Sequence, residues 1–437
     1  MEAASWTNWS GTVHARPAAT VLPESEEELA ALVRRAAAEG VPVRAVGAGH
    51  SGSEVAVSDG GYLVRLDRCD RVLSVDEAAG LVTVQAGIRL GALNEHLAGR
   101  GLALANLGSI AEQTLAGAIS TGTHGTGLRH GALDQQVAGM TLVTAGGDVL
   151  TVDPRHDADL LAAARVGLGC LGIISTLTVR CVPGFDLAVR TECLPFDAAL
   201  DALDSVAAAD HGRLWWYPDT DAVQVWRARR EPPDRDGDGR PAAQPTSSST
   251  MHELGLWASS FVPGLTPVVN RRLQRHTCRR CGETRGRSDR VLTFPITMRQ
   301  RVLEFGIPIE RAGAALRELR DAIAREGHVA HSPVEVRFAP ANDAWLSMAF
   351  GRATCYIGVI VYRPYGRTIA HERYFRMADA LLSRFEGRPH WGKVHYHDAA
   401  ALRRVYPEWD RFAALRRRLD PAGVFLNRHL AGLFEAG

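Results

Sequence analysis

The sequence predicts a two-domain α+β protein, and three observations carry that prediction. A helix, a short strand and a glycine-rich loop follow one another between Thr20 and Gly52. A tract of almost uniformly small side chains runs from Ala116 to Gly127. From Phe185 onward the glycine density falls and longer helical and strand segments begin. At 437 residues the chain exceeds one ordinary core, since domains run about 100–200 residues. Its 46% hydrophobic and 23% charged residues are globular proportions.

The elements follow in order. Met1 to Gly11 holds two tryptophans and no apolar core, so neither a signal nor a transit peptide is expected. Ser25 and Glu28 make a capping box, and Leu29, Leu32, Val33, Ala36 and Ala37 recur at helical spacing until Gly40. Val41, Val43 and Ala45 alternate as a strand that runs into Gly47-Ala48-Gly49-His50-Ser51-Gly52. Strand-like runs follow at 62–66, 72–75 and 81–85, then a helix near Leu90, Leu93 and Leu97. A hairpin around Gly146-Gly147 and a buried strand at 172–179 complete a first domain over 1–182. The second domain is read as 183–395, interrupted by a Pro/Asp/Gly/Ser-rich mobile loop at 229–250, with 396–437 returning to the first. Leu402 to Leu419 reads as largely helical and is broken by Asp420-Pro421-Ala422-Gly423.

Fifty basic against 49 acidic residues give a net charge of +1, so no global field draws in nucleic acid or an anionic membrane. Seven scattered cysteines do not look like a secreted disulfide framework, and a reducing, cytoplasmic setting is expected. The apolar stretch 254–269 is cut by Pro263 and Pro267 and falls short of the roughly 20 residues of a membrane helix. It leaves room for weak surface association only.

Gly47-x-Gly49-x-x-Gly52 matches a dinucleotide fingerprint, but no helix opens after it, as that fingerprint requires. The loop still suits a nest of backbone N–H groups around a phosphate. Gly122-Thr123-His124-Gly125-Thr126-Gly127 would let the main chain approach a flat ring or pyrophosphate, with threonine hydroxyls as donors. Two such loops in one domain argue against two idle turns. Asp234 to Gly239 begins like an EF-hand loop but has Pro245 where the bidentate glutamate belongs. Cys278-x-x-Cys281 with His276 is too little for zinc, and the eight arginines of 271–290 read as a solvated helix face.

These motifs resemble a known family, the sugar-lactone and alditol oxidases of the vanillyl-alcohol-oxidase-type FAD superfamily. The resemblance runs nearly end to end, through Val46 to Ser51, Gly117 to Gly127, Ala163 to Gly169, Pro333 to Phe338, Tyr362 to Gly366, Arg388 to Lys393 and Asp420 to Asn427. It is most similar to gulonolactone and arabinonolactone oxidases. The resemblance implies a PCMH-type FAD-binding fold with a substrate domain whose sheet covers the flavin. It implies that His50 bonds covalently to the 8α carbon of FAD. Val46, Gly47, Ala48, Gly49, Ser51, Gly108, Ser109, Thr114, Gly117, Ser120, Gly122, Thr123, His124, Gly125, Thr126 and Ile173 would complete the cradle.

Glu335 and Arg337 lie two apart in an alternating segment and so project from one strand face. Most such pairs are structural ion pairs, but these coincide with the family's substrate-contacting carboxylate and guanidinium. A strand over 390–397 would align Trp391, Lys393, His395 and His397. A two-histidine metal site lacks a third ligand, and no metal is assigned. Lys393 matches the family's lysine near the flavin, and Lys393 and His395 are the candidate bases. The expected reaction is oxidation of a secondary hydroxyl of a sugar 1,4-lactone by hydride transfer to flavin N5. Oxygen is the expected acceptor, giving hydrogen peroxide, because Gly108 offers no side chain to block the reactive edge. An alditol substrate, another electron acceptor, a nicotinamide enzyme and a non-catalytic flavin-binding protein remain as alternatives.

Overall fold

The computed structural model describes residues 5–234, 250–327, 330 and 332–435, with the side chains of 250–252 left out. In the N-terminal part, β1 (Ala19–Val21), α1 (Glu26–Glu39), β2 (Val43–Val46) and β3 (Tyr62–Arg65) form a small layered unit. Its three strands pair in parallel with β3 central. Parallel pairing needs a crossover, and α1 supplies it. Ser25 Oγ accepts from Glu28 N–H at 3.2 Å, while the Glu28 carboxylate accepts from Glu24 N–H and not from Ser25, so the capping box is half closed. Gly40 ends the helix at φ 66°, a conformation glycine adopts without strain. After the glycine loop comes only a single 3-10 turn over Glu54–Ala56, so the Rossmann helix is absent.

Beside this unit lies an antiparallel sheet built from β4 (Val72–Asp76), β5 (Leu81–Gln85), β6 (Val137–Val143), β7 (Val149–Val152) and β8 (Ile173–Arg180), in the order β7-β6-β8-β5-β4. Helices α2 (Leu90–Ala98) and α3 (Leu115–Ser120) pack their leucines into the same core. Residues from the C-terminal segment, among them Leu402, Trp409, Phe412 and Phe434, belong to that core as well. Arg44 on β2 ties the parts together: its guanidinium donates to the carbonyls of Val55, Leu168, Gly169 and Phe425.

The remainder forms one eight-stranded sheet. Its members are β9 (Asp186–Pro195), β10 (His211–Trp216), β11 (Ala222–Glu231), β12 (Gly282–Arg287), β13 (Gln300–Pro308), β14 (Val334–Ala339), β15 (Thr354–Tyr362) and β16 (Arg388–Pro389), ordered β12-β9-β11-β10-β14-β15-β13-β16. Two-residue alternation makes it two-faced. Leu303, Phe305, Val334, Val336, Phe338, Ile357 and Val359 pack into a second core with α4 (Ala312–Glu326) and α5 (Glu372–Arg384). Glu304, Glu335, Arg337, Tyr356 and Gly358, the residues between them, look the other way.

Several expectations are corrected. Residues 390–397 form no strand: Val394 makes one bridge to Leu303, and Gly392 N–H turns back onto the His390 ring. The C-terminal helix is two helices, Ala399–Val405 and α6 (Trp409–Leu419), because Pro407 falls between them. The run 271–290 is not one helical face, since its second half pairs with β9 as β12. Of the expected loop, Arg229 to Glu231 belong to β11 and Thr250 opens a helix, while 235–249, with the EF-hand-like stretch after Asp234, lie outside the described residues. Cys193 and Cys278 form a disulfide, although the scattered cysteines do not read as a disulfide framework. Among the described residues no helix is long and apolar enough to cross a membrane. The hairpin of Thr250–Ser259 and Thr266–Arg279 nevertheless exposes Leu254, Trp257, Phe261, Val262, Leu265 and Val268, with Tyr365 close by.

Candidate active site

Two cavities meet at the glycine-histidine loop. The first is lined by Val46, Gly47, Ala48, Gly49, His50, Ser51, Thr114, Gly117, Ser120 and Ile173. The second lies under the polar face of the large sheet and is lined by His50, Ser51, Gly108, Ser109, Thr123, His124, Glu335, Arg337 and Lys393. His50, Ser51, Gln113 and Thr121 line both. The first cavity depends on missing side chains: a Cβ on Gly47 would sit 2.0 Å from Thr114 Oγ1.

His50 stands at the junction, its ring 5.1 Å from that of Trp9. Burial, with Lys393 and Arg89 adding their positive charge, lowers its pKa to about 4, so the imidazole is neutral. Its Nδ1 is buried and has no hydrogen-bond partner. Such orphaned atoms are uncommon in native interiors and call for a missing partner. A glycine-walled cradle with an unsatisfied ring nitrogen in its wall fits FAD.

In the second cavity, Glu335 Oε1 accepts from Arg337 Nη2 at 2.6 Å and from Trp215 Nε1 at 2.9 Å, and Arg337 Nη2 also donates to Ser109 Oγ at 2.5 Å. Register creates this group, because Trp215 on β10 pairs with Glu335 on β14. Burial opposes ionisation of Glu335, but the Arg337 charge, the Trp215 hydrogen bond and Arg213 outweigh it and hold the carboxyl below its ordinary range. Burial also lowers Arg213 to about 10, with Arg337 adding to the effect.

A second polar group faces it. His124 Nε2 lies 2.5 Å from Glu304 Oε1, and Tyr356 stacks on the histidine ring at 3.5 Å. His124 Nδ1 points at the Gly125 carbonyl, 2.9 Å away, and so must carry a hydrogen. The other nitrogen faces the Glu304 carboxylate. Lys393 Nζ is 3.8 Å from Glu304 Oε2. Burial would raise Glu304, but His124, Lys393 and His390 hold its carboxyl far below the usual range. His390 Nδ1 accepts from Gly392 N–H at 3.0 Å, which leaves its hydrogen on Nε2, and burial lowers its pKa to about 3.

Four expected residues line neither cavity. Gly125 packs against Asn106, where a Cβ would sit 2.0 Å from Oδ1, and Gly122 faces Met348. Thr126 donates to the Gly212 carbonyl and accepts from Phe338 N–H, locking the loop to the large sheet. His395, half-buried against Trp391 and His397, turns away from both cavities, which removes it as a candidate base. Conversely, Glu304, Gln113, Trp215 and His390 were not singled out from sequence. Glu304 sits in the alternating run Val302-Leu303-Glu304-Phe305, a pattern shared by every strand with one wet face.

The comparisons with known proteins agree with this geometry. Residues 177–433 match the family model described as D-arabinono-1,4-lactone oxidase, and residues 17–153 match that of the FAD binding domain. The chain is 36% identical to L-gulonolactone oxidase of Scyliorhinus torazame, over 98% of this chain and 97% of that protein. It is 38% identical to L-gulono-1,4-lactone dehydrogenase of Mycobacterium tuberculosis, over 97% of both chains. Its fold superposes on the crystal structure of cholesterol oxidase from B. sterolicum with a TM-score of 0.82, covering 98% of this chain and 96% of that one at 17% identity.

Proposed function

The chain belongs to the D-arabinono-1,4-lactone oxidase family, and from that premise we propose that it oxidises a secondary hydroxyl of a sugar 1,4-lactone of the gulono-, galactono- or arabinono- type. The chain binds FAD in its N-terminal domain. The observation that carries the reading is the junction of a glycine-walled cavity with a polar one at His50 and Ser51. When bound, FAD supplies the hydride acceptor for oxidation of the carbinol C–H, and every other role falls to the protein.

Arg337 presents its guanidinium to a lactone carbonyl or ring hydroxyl, and Glu335, anchored by Trp215, fixes the fork and accepts from a neighbouring hydroxyl. Lys393, beside the Glu304 carboxylate, is a cation that donates to the substrate oxygen. Glu304, kept ionised by His124, Lys393 and His390, holds Lys393 and His124 in place beside the substrate. The neutral His50 imidazole holds the flavin by a covalent bond, which satisfies its orphaned nitrogen. Oxygen is the favoured acceptor, with hydrogen peroxide as product. Residues 1–182 and 396–437 act as the FAD domain and 183–395 as the substrate domain. The protein works in the cytoplasm, with weak attachment to surfaces through the apolar hairpin at 254–268.

An absorbance experiment tests the central reading. The yellow purified protein should bleach anaerobically with an aldonolactone faster than with xylitol or sorbitol. Bleaching by the polyols alone would shift the assignment to an alditol oxidase, and no bleaching by either class would refute it.

A further inference from the structure

Three sulfurs gather at the far edge of the large sheet, away from both cavities. Cys193 lies near the end of β9, and Cys278, in the last turn of the helix Thr266–Arg279, is bonded to it. Cys281 is a free thiol whose Sγ is 3.8 Å from Cys193 Sγ. Sheet register explains the approach. The β9–β12 ladder ends at Thr191 opposite Gly282, so Cys281 falls one step beyond the last pair and diagonal to Cys193. Gln274 Nε2 donates to both bonded sulfurs, at 3.7 Å and 3.3 Å, and Gln224 Nε2 lies 4.0 Å from Cys281 Sγ. All three cysteines are half-buried and within reach of a small reagent, whereas Cys69, Cys170 and Cys355 are buried.

A thiol in van der Waals contact with a disulfide sulfur is the starting geometry of exchange. We propose that Cys193, Cys278 and Cys281 form a thiol–disulfide exchange site, in which Cys281 is the resolving thiol and low-molecular-weight thiols and disulfides of the glutathione class are the external partners. In the internal step, the Cys281 thiolate attacks Cys193 Sγ. The Cys281–Cys193 bond forms, the Cys193–Cys278 bond breaks, and Cys278 leaves as a thiolate. Cys281 gives its proton to water and Cys278 takes one back, so nothing is oxidised or reduced overall. Externally, two small thiols open the disulfide and become one small disulfide, while two protein thiols are released. The internal step replaces a helix-to-strand link by a strand-edge link, which unties the end of the helix that carries half of the exposed apolar hairpin. Burial pushes the Cys281 thiol up, so little of it is thiolate at neutral pH, and exchange should take minutes to hours.

The sequence makes the test direct. Arg279 and Arg280 separate Cys278 from Cys281, so trypsin releases 276–279, 281–285 and the Cys193 peptide 191–213 as distinct species. The full-length protein is held in a glutathione redox buffer at pH 8 for hours, quenched in acid, alkylated, digested without reduction and analysed by mass spectrometry. Peptide 191–213 should appear linked to both 276–279 and 281–285, the latter at roughly a tenth or more of the total. Cys278→Ser should leave the 193–281 link as the dominant one, and Cys281→Ser should abolish it and retain 193–278. Full alkylation of Cys281 in the native chain under every buffer overturns the proposal. So does linkage of Cys193 to the buried Cys69, Cys170 or Cys355 in place of Cys281, which would signal unfolding and not exchange.

Discussion

Glu335→Gln keeps the shape of the side chain and removes its charge. In the native protein, Glu335 Oε1 accepts two hydrogen bonds, from Arg337 at 2.6 Å and Trp215 at 2.9 Å. Bonds to an ionised group contribute about 1.5–3 kcal/mol and neutral ones about 0.5–1.5. Converting both therefore costs about 2 kcal/mol in the hold on Arg337. If that hold positions the substrate, the loss corresponds to a roughly 30-fold slower reduction of the flavin. The change also leaves the Arg337 and Arg213 charges facing each other without the carboxylate, and breaking a buried pair costs about 3–5 kcal/mol of stability. Anaerobic stopped-flow with an aldonolactone reads the first effect, and urea unfolding followed by tryptophan fluorescence reads the second. A variant that unfolds earlier but is reduced within about twofold of the native rate would refute the substrate role and leave the pair a structural strut.

Glu304→Gln should impair the reaction by roughly tenfold or more and displace its pH profile, because Lys393 and His124 lose their counter-charge; an unchanged profile would remove Glu304 from the reaction. His50→Ala should still bind FAD but release it on acid precipitation, whereas the native pellet stays yellow; a colourless native pellet excludes linkage. At Gly108 a Cβ would lie 2.7 Å from Thr123 Cγ2, so even Gly108→Ala must displace Thr123. Both Gly108→Ala and Gly108→Val should slow reoxidation by air more than reduction by substrate, the valine more strongly, and equal slowing of the two half-reactions would contradict an oxygen path at this position. The half-buried His130 and His395 are lowered to about 4, and the buried His211 and His390 to about 3, chiefly by desolvation. Depressed histidines favour the folded state above their unfolded pKa of 6.5, and that stability is lost as the pH falls from 6.5 toward 4. Asp134, raised to about 6 by burial, acts the opposite way, as do Asp219, Asp379 and Asp420, which burial also raises, while His50, lowered to about 4, adds to the histidine side. The urea midpoint should therefore fall between pH 7 and pH 5, and a flat or rising midpoint would show that these rings are not buried neutral.

What the amino-acid order determined by itself is local. Helix α1 has its serine cap, its buried leucines and its terminal glycine in one contiguous stretch, and a helix satisfies its hydrogen bonds within four residues. Likewise the alternation from Val334 to Phe338 puts Glu335 and Arg337 on one face wherever the strand lies, because side chains alternate along any strand. The missing helix after Gly52 ruled out a Rossmann site from sequence alone. Tertiary structure decided which distant side chains meet. His124 and Glu304 are 180 positions apart and touch only because the small-residue loop docks under β13. Cys193 and Cys278, separated by 85 residues, are joined because β12 returns beside β9. His395 was drawn toward the site by an assumed strand, and the turn at Trp391–Lys393 lays it against Trp391 and His397 instead. These outcomes depend on strand order and on which faces must leave water, and both are properties of the whole chain that no window of neighbouring residues contains.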